Sequence, residues 1–294
     1  MRDLVTEARN PKSSEIDGLS TAEMLRVVNE ADREVPAAVE RQIPQIARAL
    51  DRIVERLEAG GRLFYMGAGT SGRLAVLDAS ECPPTFNTPP EMVVGLIAGG
   101  DRALRTSFER AEDDPKQGEQ DLRQRNFGPG DALVGIAASG RTPYVLGAIA
   151  YAKSIGALTI GLSCTPNSEL AQAAEIAITP VPGPEVITGS TRMRAGTATK
   201  LVLNMLSTGA MIRLGYVYGN LMVNVQATNE KLTDRARRII ATVADVSYDE
   251  ASRLLAEAGS VRTAILMSRK KLSRSDAEAR LRDAKGRLRT ALQV

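Results

Sequence analysis

Five short apolar runs, at residues 63–66, 92–98, 132–137, 157–162 and 175–179, alternate with helical patterns near 71–80, 101–112, 143–154 and 168–173. Runs this short and this apolar read as strands covered on both faces. Strands that alternate with helices predict an α/β fold: a parallel sheet with helices on both faces. Such sheets bind ligands at the carboxyl ends of their strands.

The most informative strand end lies in residues 62–85. The apolar run ends at Gly67, Gly69 and Gly72, with Thr70 and Ser71 between them. An apolar helix pattern follows over 74–77, reaches Ser80 and Glu81, and is expected to stop at Pro83 and Pro84. Strand, glycine turn and helix start aim backbone N–H groups and hydroxyls at an anion. Glycines in such a turn also serve plain close packing. Glu81, set against the two prolines, is a candidate acid/base.

The turn is repeated. Gly135, Ser139, Gly140 and Arg141 match Gly67, Ser71, Gly72 and Arg73, again after an apolar run, and Pro143 stands at a first helical position. Two such turns in one sheet favour phosphate binding over packing alone. The contacts expected are Ser71, Ser139, Gly140 and Thr142, with Gly69 and Thr70 beside them. No Gly-Lys-Ser/Thr follows either turn, so this is not a P-loop. The spacing of Gly67, Gly69 and Gly72 matches a dinucleotide fingerprint only formally, because no acidic residue suited to a ribose accompanies it. A third small-residue segment, 185–192, offers Thr188, Ser190 and Thr191 as helix caps or ligand contacts.

Histidine is absent. That removes a Ser/His triad and any histidine-ligated metal, and leaves proton transfer to carboxylates, Lys, Tyr or Cys. Trp is absent and aromatics make up 3% of the chain, against a base-stacking surface for nucleic acid. Cys82 and Cys164 lack metal spacing and are expected to be free thiols in a reducing, cytoplasmic setting. No secretory signal and no membrane span are expected.

Residues 1–19 read as a polar arm. Ser20 and Glu23 mark a helix start, and Pro36 opens a second amphipathic helix that ends at Gly60 and Gly61. Residues 191–214 read as a long buried helix, the sort found in a core or between subunits, and 220–243 as another. From Ala236 onward short helices carry more Lys and Arg than Asp and Glu. Their Leu and Ala stripes favour a solvated helical bundle over a nucleic-acid surface. Three parts are expected: an arm with helices over 1–60, the sheet domain with the two anion-binding turns over 61–235, and a small helical domain over 236–294.

Residues 67–73, 77–85, 137–144, 188–193 and 219–222 together resemble the N-acetylmuramic acid 6-phosphate etherases, a family within the sugar isomerase (SIS) fold. The resemblance runs from about Leu4 to the C-terminus, and five motifs occur in order. It implies a flavodoxin-like sheet, a phosphorylated amino sugar as substrate, and a homodimer with its site near the subunit junction. It implies cleavage of the D-lactyl ether to N-acetylglucosamine 6-phosphate and D-lactate in cell-wall recycling, with neither metal nor organic cofactor. The two catalytic glutamates of the family fall on Glu81 and Glu112. Glu81 is then expected to protonate the leaving ether oxygen, with a pKa raised by burial, and Glu112 to act at C2. An aldose–ketose isomerase and a non-enzymatic sugar-phosphate sensor are the alternatives.

Overall fold

The computed structural model describes residues 5–106, 109–225 and 229–293. The chain divides into two compact units: residues 1–80 with 91–207, and residues 81–90 with 208–294.

In the first unit the arm forms three 3-10 turns, Val5–Glu7, Pro11–Ser13 and Ile16–Gly18, followed by α1 (Thr21–Asp32), α2 (Val35–Glu40) and α3 (Ile43–Glu58). α1 starts with a capping box between Ser20 and Glu23. The single helix expected after Pro36 is broken at Arg41 and Gln42. Pro44 has no N–H for the carbonyl four residues back, so the chain restarts with Pro44 in the first turn of α3.

The sheet consists of β1 (Leu63–Gly67), β2 (Val93–Ile97), β3 (Ala132–Ile136), β4 (Leu158–Leu162) and β5 (Ile176–Ile178). All pairings are parallel and the spatial order is β2-β1-β3-β4-β5, the flavodoxin-like arrangement. Between and after the strands run α4 (Gly69–Phe86), α5 (Pro115–Gln124), α6 (Pro143–Ser154), α7 (Glu169–Ala173) and α8 (Arg194–Arg213). One side of the sheet buries Phe64, Met66, Leu133, Leu122, Phe127 and Ile149 together. The Phe64 and Phe127 rings meet edge to face, 5.0 Å apart. Each such side chain contributes about 1.5–3 kcal/mol by leaving water.

Three expectations fail here. α4 does not stop at Pro83; it runs through both prolines to Phe86. The prolines forfeit two helical N–H bonds but keep a helical φ, and the Asn87 N–H closes the last turn on the Pro83 carbonyl at 2.8 Å. The helix expected over 101–112 is replaced by 3-10 turns at Asp101–Leu104 and Glu109–Asp113, with the true helix, α5, following. α5 meets α6 through glycine rather than an apolar stripe: a Cβ on Gly118 would stand 2.0 Å from the Tyr144 carbonyl oxygen. Its start is marked by Asp114, whose carboxylate accepts the Lys116 and Gln117 N–H groups. Finally, α8 begins at Arg194 rather than Thr191, after a turn closed by the Met193 N–H on the Ser190 carbonyl.

The second unit carries a short hairpin, β6 (Val217–Tyr218) with β7 (Leu221–Met222), then α9 (Glu230–Ala244), α10 (Tyr248–Ala258), α11 (Val261–Lys270), α12 (Arg274–Asp283) and α13 (Leu288–Gln293). The helix expected over 220–243 therefore starts ten residues late. Gly219, at φ 59°, turns the hairpin, and the Asn229 side chain caps α9. Ser247, Ser260 and Ser273 cap the next three helices. Ile240, Ile265, Leu266 and Leu288 form the core of this unit. Among the described residues no helix is long and apolar enough to cross a membrane.

Candidate functional site

At the carboxyl ends of β1 and β3 lies a cavity of about 260 Å³, lined wholly by the first unit. Three chain segments converge on it, each leading into a helix. The turn after β1 contributes Gly69, Thr70 and Ser71 at the start of α4. The turn after β3 contributes Ser139 and Thr142 before α6. The segment before α8 contributes Gly189 and Thr191, and α8 itself adds Gly196 and Thr199.

The glycines of the first turn divide their work. A Cβ on Gly72 would stand 2.5 Å from Ile97 Cγ1 and 2.6 Å from the Gly67 carbonyl oxygen, so Gly72 is needed for close packing of α4 on the sheet. Gly69 faces open space at φ 52°, which turns the chain into the helix at the cavity rim. In the second turn Gly140 does not line the cavity. It is buried at φ 69°, a Cβ there would meet Ser168 Oγ at 2.2 Å, and its N–H is already donated to the Ala137 carbonyl. The two arginines matched in the sequence also part company. Arg73 donates to the carbonyls of Ala103 and Leu104, at 2.8 and 3.1 Å, and so fixes the turn that leads toward Glu112. Arg141 is exposed.

Glu112 lines the cavity from the Glu109–Asp113 turn. Glu81 lies on α4 within the second unit and is exposed. The burial expected around it is not supplied by its own chain. Neighbouring helical residues point about 100° apart, so the turn that buries Cys82 at 2% exposure directs Glu81 outward.

Among the described residues no Lys or Arg lines the cavity, and the carboxylates that do are Glu7 and Glu112. Such a lining would meet an anion with neutral hydroxyls and the positive ends of helices rather than with a side-chain cation. At the start of α8, Glu185 is buried at 1% exposure, and its two oxygens accept the Arg194 and Ala195 N–H groups. Burial pushes its carboxyl above the usual range, while the bonds from Ala195 and Arg194 pull it back.

Several lining residues carry no sequence signal of their own. Thr6 and Glu7 come from the arm, and Thr199 from the second turn of α8. Each needs a long-range fold to reach the cavity.

Comparison with known proteins agrees with this architecture. A model of the glucokinase regulatory protein N-terminal SIS domain matches residues 45–153, and a model of the SIS domain matches residues 116–209. A solved Bacteroides fragilis protein, described as a phosphosugar isomerase involved in capsule formation, shares the fold at 20% identity and a TM-score of 0.50, over 67% of this chain and 94% of its own. The N-acetylmuramic acid 6-phosphate etherase of Caldanaerobacter subterraneus subsp. tengcongensis is 54% identical over 295 residues, covering 100% of this chain and 96% of that relative. The Pasteurella multocida protein of the same name is 56% identical over 292 residues, covering 99% of this chain and 97% of its own. The chain belongs to the N-acetylmuramic acid 6-phosphate etherase family.

Proposed function

We propose that this chain cleaves the D-lactyl ether of N-acetylmuramic acid 6-phosphate, giving N-acetylglucosamine 6-phosphate and D-lactate in the recycling of cell-wall amino sugars. The observation that carries this reading is one cavity that joins hydroxyls at two helix starts, Ser71 and Ser139 with Thr142, to the carboxylate of Glu112. Relatives above 50% identity over nearly their whole length bear the etherase name.

The chemistry follows from the substrate. An ether is a poor leaving group in direct displacement, but opening the sugar ring exposes an aldehyde at C1 that acidifies the C2 proton. Glu112 takes that proton. The C3–O bond breaks, lactate leaves with a proton from Glu81, and water then adds at C3 with Glu81 as the base. The phosphate, held far from the reacting carbons, converts binding energy into orientation of C2 and C3. Glu112 stands in the cavity, which supports its part; Glu81 is assigned from its motif, residues 77–85.

A homodimer with the site near its interface is part of the same proposal. Leu77 on α4 and Met205 on α8 are exposed at 53% and 41%, apolar surface that a second subunit would cover. A cytoplasmic location is consistent with the absence of a disulfide at Cys82 and Cys164.

The test is lactate release from N-acetylmuramic acid 6-phosphate in the presence of a chelator. Stoichiometric lactate and N-acetylglucosamine 6-phosphate are expected. Interconversion of an aldose and a ketose phosphate without lactate would establish the isomerase instead.

A further inference from the structure

Taking the cavity as the amino-sugar phosphate site proposed above, we propose that the N-terminal arm forms its specificity wall. In this arrangement Thr6 and Glu7 bind neutral N–H or O–H groups of the sugar.

Thr6 is 4% exposed and lines the cavity, yet its hydroxyl has no hydrogen-bond partner among the described residues. A buried hydroxyl left without a partner costs stability. That cost persists usefully where a ligand supplies the partner. Glu7, the next residue, also lines the cavity. Its carboxylate lies against Gly189, where a Cβ would stand 3.3 Å from Glu7 Oε2 at a backbone φ of 76°.

The arm is fastened to the segment that leads into α8. Asn10 Nδ2 donates to the Pro184 carbonyl at 3.3 Å, and Ser13 Oγ donates to the Val186 carbonyl at 2.7 Å. Thr6 and Glu7 are therefore carried on a strap tied to the cavity wall.

Charge decides what they bind. The phosphate and the lactyl carboxylate are both repelled by Glu7, and the phosphate has the helix starts at Ser71 and Ser139. The groups left for Glu7 are neutral donors: ring hydroxyls and the acetamido N–H. Thr6, able both to donate and to accept, completes that edge.

The experiment uses Thr6→Val, Thr6→Ser and Glu7→Gln in the full chain. It reads calorimetric binding of N-acetylglucosamine 6-phosphate, KM and kcat for lactate release, and the ligand-free melting temperature. Thr6→Val is expected to weaken binding about threefold to tenfold, with the melting temperature unchanged or raised, because an unsatisfied polar group has been removed. Thr6→Ser is expected to restore binding. Glu7→Gln is expected to weaken binding about tenfold or more, acting on KM more than on kcat. Wild-type binding by both Thr6→Val and Glu7→Gln would overturn the proposal. So would a lowered melting temperature in Thr6→Val that accounts for its whole loss of binding. A wild-type protein that neither binds this sugar nor releases lactate would instead overturn the assigned reaction.

Discussion

Glu185 and Arg194 are joined through the backbone. One oxygen of the Glu185 carboxylate accepts the Arg194 N–H at 2.9 Å, and the other accepts the Ala195 N–H at 2.9 Å. The positive start of α8 is thus already occupied by a carboxylate from the chain itself. On the proposed reading, a substrate phosphate would be left the starts of α4 and α6. Arg194, buried at 2% exposure, reaches back to Glu34 at 2.7 Å and to the Pro184 carbonyl at 2.8 Å.

Glu185→Gln keeps one accepting oxygen but turns an amide N–H₂ toward a backbone N–H. We expect a loss of about 1–3 kcal/mol in urea unfolding. A raised KM should accompany it, since Thr191 and Thr199 on either side of that helix start line the cavity.

Asp78 gives a pH signature. It is buried at 7% exposure and accepts from Asn204 Nδ2 at 2.6 Å and Ser207 Oγ at 3.2 Å. Burial raises its pKa above 3.8, outweighing those bonds. The unfolded chain then releases this proton at a lower pH than the folded chain. Asp78 therefore takes stability away as the pH rises from about 4 through its folded-state pKa, and the loss is constant above that. The melting temperature of Asp78→Asn relative to wild type should climb across that window. A flat difference would refute the shift.

Gly118→Ala tests the glycine contact between α5 and α6. The added Cβ would meet the Tyr144 carbonyl oxygen at 2.0 Å, a backbone atom that cannot rotate away. We expect a loss of about 2–3 kcal/mol or more, measured by chemical denaturation. A wild-type midpoint would show that the helices separate at little cost.

The cavity assignments separate kinetically. Glu112→Gln is expected to lower kcat about a hundredfold or more with little change in KM. Ser139→Ala is expected to raise KM for the 6-phosphorylated sugar and to spare kcat. Equal effects of both variants on KM would remove the division between phosphate grip and proton transfer. Glu81→Gln should bind substrate and fail to release lactate.

The sheet was legible because its strands are apolar on both faces, so 63–66 and 132–137 stand out from any neighbour. The second glycine turn was legible for the same reason. α5 was not, since Gly118 makes its closest contact and leaves no apolar stripe to read. The prolines at 83 and 84 misled because their fixed φ is itself helical: α4 runs on to Phe86 although it forfeits two N–H bonds there. Gly140 looked like a ligand contact because its local pattern matches Gly72, but both serve packing. Thr6 and Glu7 reach the cavity through bonds between Asn10 and Pro184 and between Ser13 and Val186, separations of more than 170 residues that no local pattern encodes.

Elimination followed by addition of water is most directly tested by running the reaction in oxygen-18 water with N-acetylmuramic acid 6-phosphate. The label is predicted on the C3 hydroxyl of the N-acetylglucosamine 6-phosphate formed, with none in the ether-derived oxygen of lactate. Label in that lactate oxygen and none at C3 would mean that the bond breaks on the other side of the ether, and would contradict the mechanism.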